Sequence, residues 1–456
     1  MTYVRYSIPT RPAPNTAPHP NRFKVLTNRV ALAKLLFREL IQYRGNLDTV
    51  LSRPCVYGVF SSPLGAFMAR DELCVGCLRC TVQHPNVVEI LPNPERLNIG
   101  DSYIDPDLVE TLLYEAASGR IPVRGAGYGG SFGGTGWDTI WTDMSEIVRP
   151  TRDGIHGREF ISTSVLIGWT PLVQEFESHS SLAESSRPLI ELPIPVLFDR
   201  LPVDKQSAYA ATTAAASTLA TLAIVPADRW DEELLQSEST VPLVDPEDLG
   251  RLAARDRFFR MIELDGWNQT AYSQLTSAFP ETVVAVRLDV DADLSEPLES
   301  GVEVFHLTAD YHGQTNSGFT LDAIRAAHEG LIVRGIREQV TLIGSGGIAA
   351  AEHVPKAIIA GLDVVAIETA AMIAMQAQFH NEVHTASDSQ IEMPHTDPAW
   401  AAQRLVNLMG SWRDQLLEIL GAMGLREVRR LRGEIGRAMF QADMEREAFA
   451  GIEGYE

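Results

Sequence analysis

Cys74, Cys77 and Cys80, in the run CVGCLRCTVQHP, place three thiols at a C-x2-C-x2-C spacing. That spacing lets one short loop wrap a cuboidal [4Fe–4S] core. The bacterial ferredoxin run closes with C-x3-C-P, and here His84 stands where the last cysteine would be, directly before Pro85. In two-cluster ferredoxins that last cysteine serves the other cluster, so its replacement does not open this one. Cys55, which follows Pro54, is the fourth ligand on this reading. His84 is its rival, and an open-cornered three-iron cluster is the third arrangement. A zinc site is the competing chemistry, but zinc ribbons bring paired C-x2-C knuckles and the chain has four cysteines in all.

A second chemical feature is Gly344-Ser-Gly-Gly-Ile348, between the apolar run VTLI and a helical pattern. Backbone N–H groups of small residues at such a strand-to-helix turn hold phosphate, helped by the helix dipole. A ligand-free tight turn is the plain alternative. The next apolar run, Val364–Ile367, leads into Glu368-Thr-Ala-Ala, where a second phosphate loop would lie. Gly125-Ala-Gly-Tyr-Gly-Gly130 satisfies G-x-G-x-x-G, but SFGGTGWD after it starts no helix, so it reads as a loop and not as a dinucleotide fingerprint.

These groups must be positioned by a chain of 456 residues with 45% hydrophobic content, enough for two or three domains. The formal net charge of -22 argues against nucleic acid or an anionic membrane as partner, since both need a basic surface. The N-terminus is Pro-rich without a secretory h-region, and the longest uncharged run, Ala208 to Ala227, is too weakly apolar to span a bilayer, so a cytoplasmic protein is expected. The chain has only four lysines, Lys24, Lys34, Lys205 and Lys356.

From about residue 190, short apolar runs alternate with helical patterns, as in βα units with parallel strands. Strands are expected at Pro195–Phe198, Ala223–Val225, Thr240–Val244, Phe258–Leu264, Val283–Leu288, Val302–Leu307, Val340–Ile343 and Val364–Ile367, with helices at Val30–Tyr43, 105–118, Lys205–Leu219, Leu321–Ile336 and Glu352–Ala360. The fold class is α/β: a compact (β/α)8 TIM barrel, with a doubly wound open sheet as the competitor. A small ferredoxin-like iron–sulfur segment precedes the barrel and charged C-terminal helices follow it. The expected divisions are 1–50 (arm and helix), 51–104 (iron–sulfur), 105–189 (helix and Gly-rich pre-barrel segment), 190–396 (barrel) and 397–456 (C-terminal helices).

The segments GRIPVRGAGYGG, DMSEIVRPTRDGIHGREFISTSVLIG, VTLIGSGGIAAAEHVPKAIIAGLDVVAIETAAMIA and LGAMGLREVRRLRGEIGR resemble the FMN-binding synthase domain of the glutamate synthase family, in its short archaeal-type form with ferredoxin-like cysteines. The resemblance implies a barrel with FMN at the C-terminal strand ends, reducing the 2-iminoglutarate formed from 2-oxoglutarate and ammonia. By position, Gly344, Ser345, Gly346 and Gly347 match the family's first phosphate loop, and Thr369 and Ala370 the second. Several positions depart from the pattern. Glu368 replaces a small residue, Arg287 replaces the fifth strand's lysine, and no lysine falls at a barrel strand end. Arg200, Arg229 and Arg287 remain as candidate clamps for a 2-oxo acid. No segment matches a glutaminase, so other redox or glutaminase subunits, or a ferredoxin-type donor, are the expected partners, alongside self-association. Two functions stay open: FMN-dependent glutamate synthesis fed by the cluster, or a degenerate barrel acting as an electron-transfer or scaffold subunit.

Overall fold

The structure, a computed structural model, describes residues 6–46, 55–60, 69–122, 133–143, 161–170, 176–178, 181–182, 187–203, 205–255, 257–386, 390–393 and 397–452. The glycine run at 125–130 and the segment 144–160 lie outside the described residues. Two compact units form: one from Met1–Asn15, Asp101–Pro122 and Phe132–Glu456, the other from Thr16–Gly100 and Val123–Ser131.

The larger unit is built on eight strands: β1 (Val196–Phe198), β2 (Ala223–Pro226), β3 (Thr240–Val244), β4 (Met261–Asp265), β5 (Val283–Asp289), β6 (Val304–Thr308), β7 (Thr341–Ser345) and β8 (Val364–Ile367). They close into a parallel barrel in chain order. Both faces of each strand are covered, which is why they read in sequence as continuous apolar runs. β8 returns to β1 with Val365 opposite Val196 and Ile367 opposite Phe198, and the Asp199 N–H donates to Ile367 O at 2.9 Å. This closure excludes the open sheet. All eight expected strands form, the largest shift being the start of β4 from Phe258 to Met261.

Helices follow the strands where the 3.6-residue pattern placed them, at Gln206–Leu219, Thr320–Val333 and His353–Ala360. The helix Pro398–Ala422, in the segment expected to form charged C-terminal helices, has a buried apolar side. Its stripe Leu405, Leu408, Met409, Trp412, Leu416 and Leu420 is buried, and the helix packs on Gln206–Leu219 and Pro106–Ser118. Even Arg404 is fully buried: Nη1 donates to Ala13 O at 2.7 Å, Nε to Ala374 O, and the guanidinium lies 4.9 Å from the Trp400 ring. The start of the chain is held to the same unit, with Tyr6 Oη donating to Leu219 O and Arg11 N to Asn407 Oδ1.

In the smaller unit, Phe23–Thr27 pairs antiparallel with Val88–Pro92. Between them runs the helix Arg29–Gln42, whose N-cap Asn28 accepts from Ala31 N at 3.1 Å. The core is small: Val25, Leu32, Val59, Phe60, Val87 and Val88 are buried together, with Cys55, Cys74 and Cys80 packed against them. A core of this size usually needs a cross-link or a metal to be stable.

Among the described residues, no helix is long and apolar enough to cross a membrane.

Candidate functional site

The loop that carries the cysteines curls because two residues take the left-handed conformation, Gly76 at φ +69° and Leu78 at φ +57°. At Gly76 a Cβ would fall 2.2 Å from the Phe23 ring, so only glycine fits beneath that ring. Cys80 then opens into the short helix Arg79–Gln83. Burial pushes the thiols of Cys74 and Cys80 up from their ordinary value, opposed by backbone N–H groups, and both are raised further by neighbouring cysteines, Cys55 among them. The structure therefore brings Cys55 into electrostatic reach of the three-cysteine loop, across the residues outside the described set. Thiols packed this way are deprotonated by metal, so loading the site releases protons. His84 ends the helix: its N–H donates to Cys80 O, and its carbonyl accepts from Val87 N at 2.9 Å. That places its backbone in the turn toward the strand Val88–Pro92.

At the C-terminal end of the barrel the structure assembles a charged group that sequence patterning did not single out. Arg287 of β5 holds Asp199 in a fork, Nη1 to Oδ1 at 2.8 Å and Nη2 to Oδ2 at 2.9 Å, and Nη1 also reaches Glu263 Oε1 of β4 at 2.8 Å. His306 of β6 sits opposite Arg287 in register, with Nδ1 at 2.9 Å from Glu263 Oε1. All four are buried. Burial works against the ionised form of Asp199, yet Arg287 holds its carboxyl well below the usual range. Glu263 is also held low, against burial, by His306 and Arg287. Arg287 itself loses from burial and is raised by Asp199 and Glu263. Arg287, one of the candidate substrate clamps, is thus a buried strut between two protein carboxylates. A sequence signal was available: charged or imidazole side chains interrupt the apolar strands MIELD, VVAVRLD and VFHLT.

Arg200, next to Asp199, is half-exposed and approaches Asp265 Oδ2 at 3.3 Å. Arg229 lies in the 3-10 turn after β2 with its guanidinium 2.9 Å from Asp228. These two remain at the barrel's rim.

Gly344, Ser345, Gly346 and Gly347 end β7. Gly346 and Gly347 adopt φ of +107° and +70°, and a Cβ at Gly346 would meet Asp310 O at 2.7 Å. Tyr103 Oη donates to Gly347 O at 2.7 Å, and His353 Nδ1 accepts from Ala349 N at 3.1 Å. After β8, Glu368, Thr369 and Ala370 are buried. Both Glu368 carboxyl oxygens, Thr369 Oγ1, Glu263 Oε2 and His306 Nε2 have no hydrogen-bond partner among the described residues. Orphaned buried polar atoms concentrated at a barrel's C-terminal end mark a place where a polar ligand completes the site. Glu368 bears on whether that ligand carries phosphate. Burial first, then Asp199, raises its pKa well above the ordinary value against the pull of Arg287, which favours its protonated form. A protonated Glu368 adds no negative charge beside the glycine turn at Gly346 and Gly347, and that turn with buried Thr369 and Ala370 has the small-residue lining a phosphate-bearing group such as FMN needs.

The raised pKa makes Glu368 a pH-dependent weakness. The folded state keeps this proton where the unfolded chain has lost it, so stability falls as pH rises from the ordinary glutamate range toward the folded value. Glu368→Gln keeps the shape without the ionisation. In urea unfolding at pH values rising from the ordinary glutamate range, its stability relative to the native chain is expected to grow with pH; a constant difference would contradict the assignment.

Similarity to known proteins follows the same geography. Residues 309–426, spanning the loop after β6 to the end of the C-terminal helix, match the family model described as "Conserved region in glutamate synthase". The chain is 24% identical over 437 residues to the archaeal-type glutamate synthase [NADPH] of Dehalococcoides mccartyi, covering 80% of this chain and 86% of that protein. The archaeal glutamate synthase [NADPH] of Archaeoglobus fulgidus is 24% identical over 443 residues, with the same two coverages, 80% and 86%. A glutamate synthase large subunit-like protein of Rhizobium meliloti is 31% identical over 121 residues, 26% of this chain and 27% of its own. Among solved structures, a mutant flavocytochrome b2 with pyruvate bound overlaps 66% of this chain and 76% of its own at 9% identity and a TM-score of 0.43, a score that bears on neither ligand nor chemistry. Barrel, glycine turn and sequence together make the chain similar to archaeal-type glutamate synthases, at 24% identity over most of its length, with the family model matched over residues 309–426.

Proposed function

We propose that this chain is a glutamate-synthase-like oxidoreductase that receives electrons through a [4Fe–4S] cluster on Cys55, Cys74, Cys77 and Cys80 and uses them at the C-terminal mouth of the barrel for reductive amination of 2-oxoglutarate by ammonia. The observation that carries the reading is the set of buried atoms of Glu263, His306, Glu368 and Thr369 without a partner among the described residues, beside the glycine turn, in a chain similar to archaeal-type glutamate synthases. FMN would be held by Gly344, Ser345, Gly346 and Gly347 on one side and Thr369 and Ala370 on the other, and would supply hydride to an electron-poor carbon. Glu368, neutral in its buried position, donates a hydrogen bond to an anionic group there without adding charge. Arg200 and Arg229, at the rim, attract the carboxylates of a 2-oxo diacid. Arg287 fixes Asp199 and Glu263, and so fixes the floor on which the ligand rests. Ammonia comes from solution or from a separate glutaminase subunit.

A second reading, a barrel that has lost glutamate synthesis and persists as an electron-transfer or scaffold subunit, is favoured by one observation: the cation at the family's lysine position is fully engaged by Asp199 and Glu263. The test is anaerobic. Protein reduced with excess dithionite is freed of reductant and mixed with 2-oxoglutarate and ammonium, and glutamate is quantified. Glutamate in proportion to enzyme supports the first reading; cofactor-loaded protein that yields none supports the second.

A further inference from the structure

His312, Glu382 and His384 meet at the barrel mouth with one ligand atom of each within 4.8 Å of the other two. They come from separate segments. His312 lies in the loop after β6, ahead of the small hairpin formed by Gln314–Thr315 and Gly318–Phe319, while Glu382 and His384 follow the short strand Gln378–Phe379. The two imidazoles lie 4.2 Å apart between ring centroids.

Each imidazole is already held by a carboxylate. His312 Nε2 meets Asp101 Oδ2 at 2.8 Å, and His384 Nδ1 meets Asp310 Oδ2 at 3.1 Å. A carboxylate on one ring nitrogen fixes the tautomer and turns the other nitrogen into a metal donor, the arrangement found behind metal-binding histidines. The carboxylates are themselves held. Asp101 Oδ1 accepts from Tyr103 N at 2.9 Å and Ile104 N at 2.7 Å, Asp310 Oδ1 accepts from His312 N at 3.0 Å, and the Tyr311 N–H donates to His384 O at 2.9 Å. Glu382 is positioned by Ser102, whose Oγ donates to Oε2 at 2.6 Å. Tyr103 stacks on His312 at 5.2 Å, so the inner imidazole has little freedom to turn. His384 is 47% exposed, giving an ion a path from solvent.

The other histidine–carboxylate cluster in this unit offers a contrast. Asp138, Glu352 and His353 also lie within ligand distance of one another, but Lys356 Nζ sits 3.3 Å from Asp138 and 3.5 Å from Glu352, supplying a cation. Around His312, Glu382 and His384, none of the bonded or stacked partners named above is cationic, and Asp101, Asp310 and Glu382 bring three carboxylates together. We propose that His312, Glu382 and His384 form a binding site for a divalent transition-metal ion, with Asp101 and Asp310 orienting the two imidazoles. Two imidazoles and one carboxylate suit zinc or ferrous iron and leave further coordination positions open. The ion would pin the segment 101–103, the loop after β6 and the segment 382–384 to one another beside the glycine turn. The proposal is independent of flavin and of the iron–sulfur cluster.

The test is Co2+ titration of the full chain by visible absorption, with Zn2+ competition. One equivalent of cobalt with ligand-field bands, without thiolate charge transfer, and displaced by Zn2+ is expected; cobalt on the cysteines would show its own thiolate absorption, so the two sites are read separately. His384→Ala and Glu382→Gln should each weaken this binding at least about tenfold, while His380→Ala, another exposed histidine nearby, should leave it unchanged. Circular dichroism of His384→Ala should match the native chain. Thiolate-type binding alone, or cobalt affinity equal in His384→Ala and the native chain, would overturn the site.

Discussion

Arg287→Met is expected to destabilise the barrel by about 3–5 kcal/mol, the usual result of removing one partner from a buried, hydrogen-bonded ion group. The substitution keeps apolar volume but leaves Asp199 and Glu263 as two buried carboxylates facing each other without a cation. Both would recover protons, so the variant should be least stable at alkaline pH and regain part of the loss as pH falls. The native chain behaves oppositely here: with Asp199 and Glu263 held below their ordinary values, their contribution is present above the unfolded range and is lost as pH falls through the folded values. Adding Asp199→Asn and Glu263→Gln to Arg287→Met should restore much of the stability, because a neutral replacement of a whole buried ion group is often tolerated. Urea unfolding of the single and triple variants measures this. A single variant as stable as the native chain would mean that the guanidinium does not serve as the strut described here.

The second large effect concerns the cysteine unit. Cys55→Ala should abolish the [4Fe–4S] signal or convert it to a three-iron form, whereas His84→Ala should leave it largely intact. The structural basis is that Cys55 packs on the same apolar cluster as Cys74 and Cys80 and acts on both electrostatically, while the backbone of His84 serves the turn that follows the short helix. Because the core beside the cysteines is small, losing the cluster should also expose this unit to proteolysis at temperatures where the barrel stays folded. Electron paramagnetic resonance of the reduced variants decides the ligand question. An unchanged spectrum in Cys55→Ala would remove Cys55 from the ligand set.

How far the sequence could be read depended on where information is local. Parallel barrel strands buried on both faces are apolar runs, so β3 and β8 were legible to the residue and β4 only to within its ragged start. The glycine turn at 344–347 was legible because positive φ and close approach to Asp310 require residues without side chains. The helix Pro398–Ala422 was legible as a charged C-terminal helix but its docking was not: the stripe through Leu405, Trp412 and Leu420 is what docks it, and Arg404 is satisfied by carbonyls far away in sequence. The group at Asp199, Glu263, Arg287 and His306 was not legible as a unit, since three of its members lie on β4, β5 and β6 and Asp199 just after β1, and they meet only when the barrel closes. Glu368 is the same kind of case. From sequence it was a carboxylate beside a phosphate loop; its burial favours the protonated form.

The central claim is that this chain carries both a cluster on its cysteines and a flavin at its barrel. Iron, acid-labile sulfide and flavin quantified in anaerobically purified protein test it most directly. The account predicts about four irons per chain together with stoichiometric FMN. Iron without flavin would contradict the oxidoreductase reading of the barrel, and protein with neither, even after anaerobic reconstitution, would contradict the redox account altogether.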